Sequence, residues 1–111
     1  MGQATYQEEA IRALNTLRAE KGLPPMTINP ALMANSLAHA NVMAAAGRAF
    51  HTEVNLPGCE SVCRVPDNFP AKLMGETLAR HTPQFLEASR TGVGIAVVRN
   101  GNQLYAVMQG N

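Results

Sequence analysis

The sequence predicts an α+β fold, a three-layer α-β-α sandwich with a small antiparallel sheet between helices. Three observations predict it. The stretch from Asn29 to Gly47 has helical spacing and a capping signal at each end. The stretch Gly92-Val93-Gly94-Ile95-Ala96-Val97-Val98 alternates β-branched with small residues, and Asn100-Gly101 and a second apolar run, Leu104 to Met108, follow it. Two further helical patterns lie outside these segments, so helices must cover both faces of a short sheet.

Taken in order, Thr5-Tyr6-Gln7-Glu8 reads as a capping box. It opens a helix with Ala10, Ile11, Leu14 and Leu17 on one side, closed by Gly22 and barred from continuing by Pro24-Pro25. Leu23 to Ile28 reads as an extended, half-buried link. Asn29 then caps a helix with Pro30 at its first position. Met33, Leu37, Ala40 and Ala44 recur on one face, with Leu32, Ser36, His39 and Met43 flanking it. Gly47 ends this helix and delivers Phe50-His51 to a loop that runs through Asn55, Pro57 and Gly58. Glu60 to Val65 has strand character, ended by Pro66. A third helix starts at Asp67 to Pro70, with Leu73, Met74, Thr77 and Leu78 inward and His81 on their face. Pro83 breaks it, and Gln84 to Ala88 adds one more turn.

Composition narrows the function. The 111 residues form one domain, 46% hydrophobic and 15% charged, too apolar for a disordered chain. A net charge of +1 with scattered basic residues, and no aromatic-basic stripe, argues against nucleic-acid binding. No apolar run approaches a membrane span, and no leader pattern precedes the first helix. Cys59 and Cys63 stand C-x3-C; on an extended strand their Cα atoms lie roughly 13 Å apart, beyond disulfide reach, whereas a turn brings them together.

Six segments then line up with one family. Leu14-Asn15-Thr16-Leu17-Arg18-Ala19-Glu20-Lys21-Gly22-Leu23-Pro24-Pro25 resembles the N-x-x-R…G-L-x-P-L opening of the CAP superfamily (cysteine-rich secretory proteins, antigen 5 and pathogenesis-related 1 proteins), in its bacterial, SCP-like branch. Ala38-His39-Ala40-Asn41-Val42-Met43 resembles that branch's A-x-x-H-A-x-x-M helix, and Phe50-His51-Thr52 its F-S-H-T element. Cys59-Glu60-Ser61-Val62 stands where the family has Gly-Glu-Asn and an apolar residue. His81-Thr82-Pro83-Gln84 resembles the later histidine motif, and Thr91 to Ala96 resembles E-V-G-V-G-V-A. Gly75 aligns with a tryptophan of the family, the second family glutamate has no match, and the C-terminal cysteine-rich extension has no counterpart.

The resemblance implies an open cleft lined by two histidines and a glutamate, here His51, His81 and Glu60, with Ser61 and Gln84 beside them. It also implies an extracellular or cell-envelope location and a lipid, glycan or protein as partner. Two imidazoles and a carboxylate, with water in a fourth position, suit Zn²⁺ or another divalent ion. Equally, the histidines can serve to hold the loops. A metal-dependent hydrolase using His51, Glu60 and His81 is the alternative function. Ser61 has no G-x-S-x-G elbow around it, so no complete catalytic set is visible. His39 reads as a satisfied core histidine. The methionines read as core or as the lining of an apolar groove. Binding is therefore preferred to catalysis.

Overall fold

A computed structural model describes residues 3–52 and 58–111. The elements run α1 (Gln3–Glu20), β1 (Thr27–Ile28), α2 (Pro30–Ala46), β2 (Cys59–Pro66), α3 (Ala71–His81), a 3₁₀ turn (Pro83–Leu86), β3 (Gly92–Asn100) and β4 (Gln103–Gly110). The sheet order is β1-β3-β4-β2. Side chains alternate across it. Val93, Ile95, Val97, Leu104, Ala106 and Met108 meet α1 and α3 on one face, while Ala96, Tyr105 and Val107 meet α2 on the other. The expected three layers are thus present. Asn55 and Pro57 of the expected loop lie outside the described residues.

The sheet is mixed, where the sequence suggested an antiparallel one. β3 and β4 are antiparallel, as are β4 and β2, but β1 runs parallel to β3 with Thr27 opposite Gly92. The cause lies in how the link after α1 is held. Asn15 brackets Met26, donating from its amide to Met26 O at 3.2 Å and accepting from Met26 N–H at 2.8 Å. Arg18 Nε donates to Pro24 O at 2.9 Å. The chain is thereby laid along the start of β3 before α2 begins, and Thr27 and Asn29 N–H donate to Thr91 O and Val93 O.

Arg18 is the most consequential of these side chains. It is 1% exposed, and its guanidinium also donates to Phe85 O at 2.7 Å, Glu87 O at 3.0 Å and Arg90 O at 3.1 Å. A planar fork of five N–H donors can serve carbonyls of two separate segments at once, which an ammonium on a flexible stem cannot.

α2 is built as its caps suggested. Asn29 Oδ1 accepts from Ala31 and Leu32 N–H. Gly47, at φ 74°, takes the left-handed position, and its N–H reaches Met43 O at 2.9 Å. The buried face, however, is Ser36, His39, Ala40, Met43 and Ala44. Leu37, expected inside, is 49% exposed. The helix lies too close to the sheet for a leucine beneath it: a Cβ on Gly94 would stand 2.2 Å from the Leu32 carbonyl carbon. Small residues, His39 and the flexible Met33 and Met43 occupy that interface instead.

Other elements shift by small amounts. α1 already includes Thr5, so the expected capping box does not form; Tyr6 and Gln7 side chains instead bond to Phe69 O and Val97 N–H. The hairpin places Asn100 opposite Gln103, so Gly101 and Asn102 form its turn. Gly101 has φ 64° and, among the described residues, no non-glycine residue has positive φ, the pattern of a type II′ turn. On α3 the buried residues are Ala71, Met74, Gly75, Leu78 and Ala79, and Leu73 is exposed. Gly75 stands against Ala10 O of α1, where a Cβ would lie 2.0 Å away, so the two helices touch backbone to backbone. Both cysteines are free thiols on one face of β2, and burial pushes the Cys63 thiol up to about 12.

Two substitutions test these close contacts by urea denaturation. Arg18→Ala removes the shared donor from four carbonyls, of which that of Phe85 is buried, and is expected to cost roughly 3 kcal/mol, with Arg18→Lys recovering only part. A loss under about 1 kcal/mol would contradict this role. Gly94→Ala forces α2 off the sheet and should cost about 2 kcal/mol. A neutral effect would show that the helix yields freely.

Candidate functional site

The end of α2 begins the site. Arg64 on β2 donates from its guanidinium to Gly47 O at 2.9 Å, and the Arg48 guanidinium stacks on the Phe50 ring at 4.6 Å. His39 Nε2 lies 2.6 Å from Phe50 O, and its ring meets Phe50 edge-on at 5.2 Å. A carbonyl only accepts, so His39 carries its proton on Nε2. The helix-flank histidine is thus buried and satisfied, as expected, and its bond to Phe50 O fixes the loop just before His51.

β2 supplies the acidic partner. Glu60 lies on the α2 face of the sheet, directly opposite Gln109 of β4. Its carboxylate is 7% exposed and collects four contacts. Thr52 N–H donates to Oε1 at 2.8 Å, Thr52 Oγ1 to Oε2 at 2.5 Å, and Gln109 Nε2 to Oε2 at 2.9 Å. His51 Nδ1 stands 3.0 Å from Oε1. Burial by itself raises the carboxyl's pKa. The donors from Thr52, Gln109 and His51 outweigh it, so Glu60 sits below its ordinary value of 4.5.

An ionised carboxylate can only accept, so His51 Nδ1 must carry a proton. That leaves Nε2 as the opposite ring atom of a side chain that is 66% exposed. Such an imidazole, oriented by a buried carboxylate, can accept a hydrogen bond, donate one when protonated, or offer one ligand atom to a metal.

The other residues suggested by sequence fall around this pair. His81, expected on the inner face of α3, is its last residue and is exposed, because Thr82 and Pro83 turn the chain away there. Thr82, its neighbour, donates from Oγ1 to Glu60 O at 3.2 Å. Gln84 is exposed on the 3₁₀ turn. Ser61 is 1% exposed, and strand alternation directs it to the α1/α3 face, away from the Glu60 carboxylate; its Oγ has no hydrogen-bond partner among the described residues. The structure therefore brings His51 and Glu60 together and keeps Ser61 apart. Among the described residues, no three His, Cys, Asp or Glu side chains group as metal ligands.

Sequence reading missed Thr52, Gln109 and Thr82. Gln109 had left a signal: a lone amide beyond the apolar run of β4, which hairpin pairing sets across from β2. Thr52 and Thr82 stand inside the histidine motifs that resemble the family's, but nothing in those motifs marked them as partners of Glu60.

Residues 11–61 match the model of the CAP, cysteine-rich secretory protein family. The match runs from α1 into β2 and includes both His51 and Glu60, while His81 lies beyond it. No curated protein matches the chain.

The lowered Glu60 pKa sets a pH dependence. Its contribution to stability is fully present above about 4.5 and is lost as pH falls through the lowered folded value. The urea midpoint should therefore drop in acid, and Glu60→Gln should flatten that drop. An identical acid profile in both proteins would show that the carboxylate is not held as described.

Proposed function

We propose that this CAP-superfamily chain is a ligand-binding or interaction module whose polar contact point is the His51 imidazole, oriented by Glu60, with His81 and Gln84 at the rim. The observation that carries the reading is a buried carboxylate with every oxygen engaged, holding an exposed imidazole in one tautomer. A ring fixed in this way loses little further entropy when a ligand binds, which favours a hydrogen bond to a hydroxyl, ammonium or carbonyl group.

The partner classes are a glycan, a protein surface or a lipid. Met33, Ala34, Leu37, Gln7, Ile95 and Ala96 line a second, apolar groove of about 210 Å³ beside β3. That is small against the roughly 300–1,000 Å³ of typical small-molecule pockets. It suits a short alkyl segment better than a whole lipid, which favours glycan or protein. The superfamily acts mostly outside the cell, and we place the chain there or in the cell envelope. No helix among the described residues is long and apolar enough to cross a membrane.

A metal-dependent hydrolase is the second reading. It is favoured only by the carboxylate–imidazole pair, a common outer support for metal ligands, and requires further ligands beside His51 Nε2.

Ligand titrations followed by amide NMR, with soluble glycans and lipid vesicles in turn, test the first reading. Saturable shifts are expected at Thr52, Thr82 and Gln109, and His51→Ala should weaken binding about tenfold, the loss of one hydrogen bond. Binding unchanged in a folded His51→Ala variant would contradict the proposal. Zn²⁺ calorimetry on the wild type and a His51→Ala/His81→Ala variant separates the second reading, which requires saturable binding that the variant loses.

A further inference from the structure

β2 is the outer strand of the sheet, and the direction of each of its peptide groups can be worked out. Thr27 and Asn29 donate to Thr91 O and Val93 O, so those residues of β3 bond toward β1. Gly94, Ala96 and Val98 then bond toward β4, on Gln109, Val107 and Tyr105. That leaves Met108, Ala106 and Leu104 to bond Ser61, Cys63 and Val65. Glu60, Val62 and Arg64 consequently direct their N–H and C=O groups away from the sheet. The bond from Thr82 Oγ1 to Glu60 O, which comes from outside the ladder, agrees. Among the described residues, no backbone group pairs with the outward groups of Val62 or Arg64.

We propose that this edge pairs antiparallel with the same edge of a second copy of the chain, about a two-fold axis through Val62. Such an axis sets Val62 opposite Val62 of the partner subunit, and Glu60 opposite the partner's Arg64. Every outward-facing residue then meets another, so three residue pairs exchange backbone bonds, with opposite charges across from each other at both ends. Neighbouring registers lose this match. An axis at Cys63 sets Val62 opposite Arg64, and one at Arg64 sets like charges face to face.

Directly opposed residues share a face, and Glu60 points to the α2 side. The partner's Arg64 therefore arrives beside the His51–Glu60 pair, giving up the exposed bond that Arg64 makes to Gly47 O in the single chain, while Thr82 Oγ1 shares Glu60 O with the incoming N–H or leaves it. Dimerisation would add a cation to each site. The paired segment is short beside a standard interface of about 1,600 Å², so the association is weak and concentration-dependent. The pairing does not depend on which ligand the site takes.

Val62→Pro isolates the idea. Its N–H makes no bond to β4, so proline removes only the outward donor and is tolerated on an edge strand. Sedimentation velocity from about 10 µM to about 1 mM should show the wild type passing from monomer to dimer, with dimerisation weakened at least tenfold in Val62→Pro. Arg64→Glu, which sets two acidic residues opposite each other, should weaken it similarly and serves if the proline variant fails to fold. In a Cys59→Ser/Cys63→Ser background, Val62→Cys should form an intermolecular disulfide on mild oxidation, since opposed Cα atoms stand about 5.5 Å apart. A wild type that stays monomeric at about 1 mM overturns the proposal. So does a dimer that neither Val62→Pro nor Arg64→Glu weakens.

Discussion

The Arg18 guanidinium is the interaction on which the architecture most depends. Hydrophobic burial collects α1, α3 and the inner face of the sheet, but it does not say where the polar link after α1 or the turn after α3 should lie. Four backbone carbonyls from Pro24, Phe85, Glu87 and Arg90 converge on one buried cation. A charge this deep is tolerated only when it is fully hydrogen-bonded, so the two segments are held to it and to each other. One of them lays β1 beside β3 and sets the start of α2. The other follows the 3₁₀ turn, whose preceding residue, Thr82, reaches Glu60.

The site repeats this logic with the opposite charge. A nearly buried carboxylate is stable as an anion because three donors besides His51 surround it, and all come from a single loop residue and a single facing strand residue. His51 itself is exposed and therefore free to meet a ligand, yet its orientation is set from beneath. The loop that carries it is anchored by His39 and Arg64, from the helix before it and the strand after it. Fold and site thus share elements: β2 supplies Glu60 on one face and core cysteines on the other.

Much of this was legible in the sequence. Caps at Asn29 and Gly47, the β-hairpin and the strand after Gly58 follow from local rules that tertiary context does not override here. The family resemblance implied that His51 and Glu60 share a cleft; their spacing alone did not. What failed were statements about faces. Periodicity placed Leu37 and Leu73 inside, but it measures where apolar residues recur, not how closely a helix approaches its neighbour. Gly94 and Gly75 set those distances, and small residues won the interfaces. The parallel strand β1 was also illegible, because two residues of strand are too few to leave a pattern. Ser61 shows a further limit: adjacency to Glu60 in sequence means opposite faces on a strand.

The central claim is that Glu60 fixes the exposed His51 ring with Nδ1 protonated and Nε2 left without a proton. Long-range ¹H–¹⁵N NMR of the neutral imidazole reads this directly. The account predicts a single Nδ1–H tautomer in the wild type that is lost in Glu60→Gln. A ring protonated on Nε2, or the same tautomer mixture with and without the carboxylate, would contradict it.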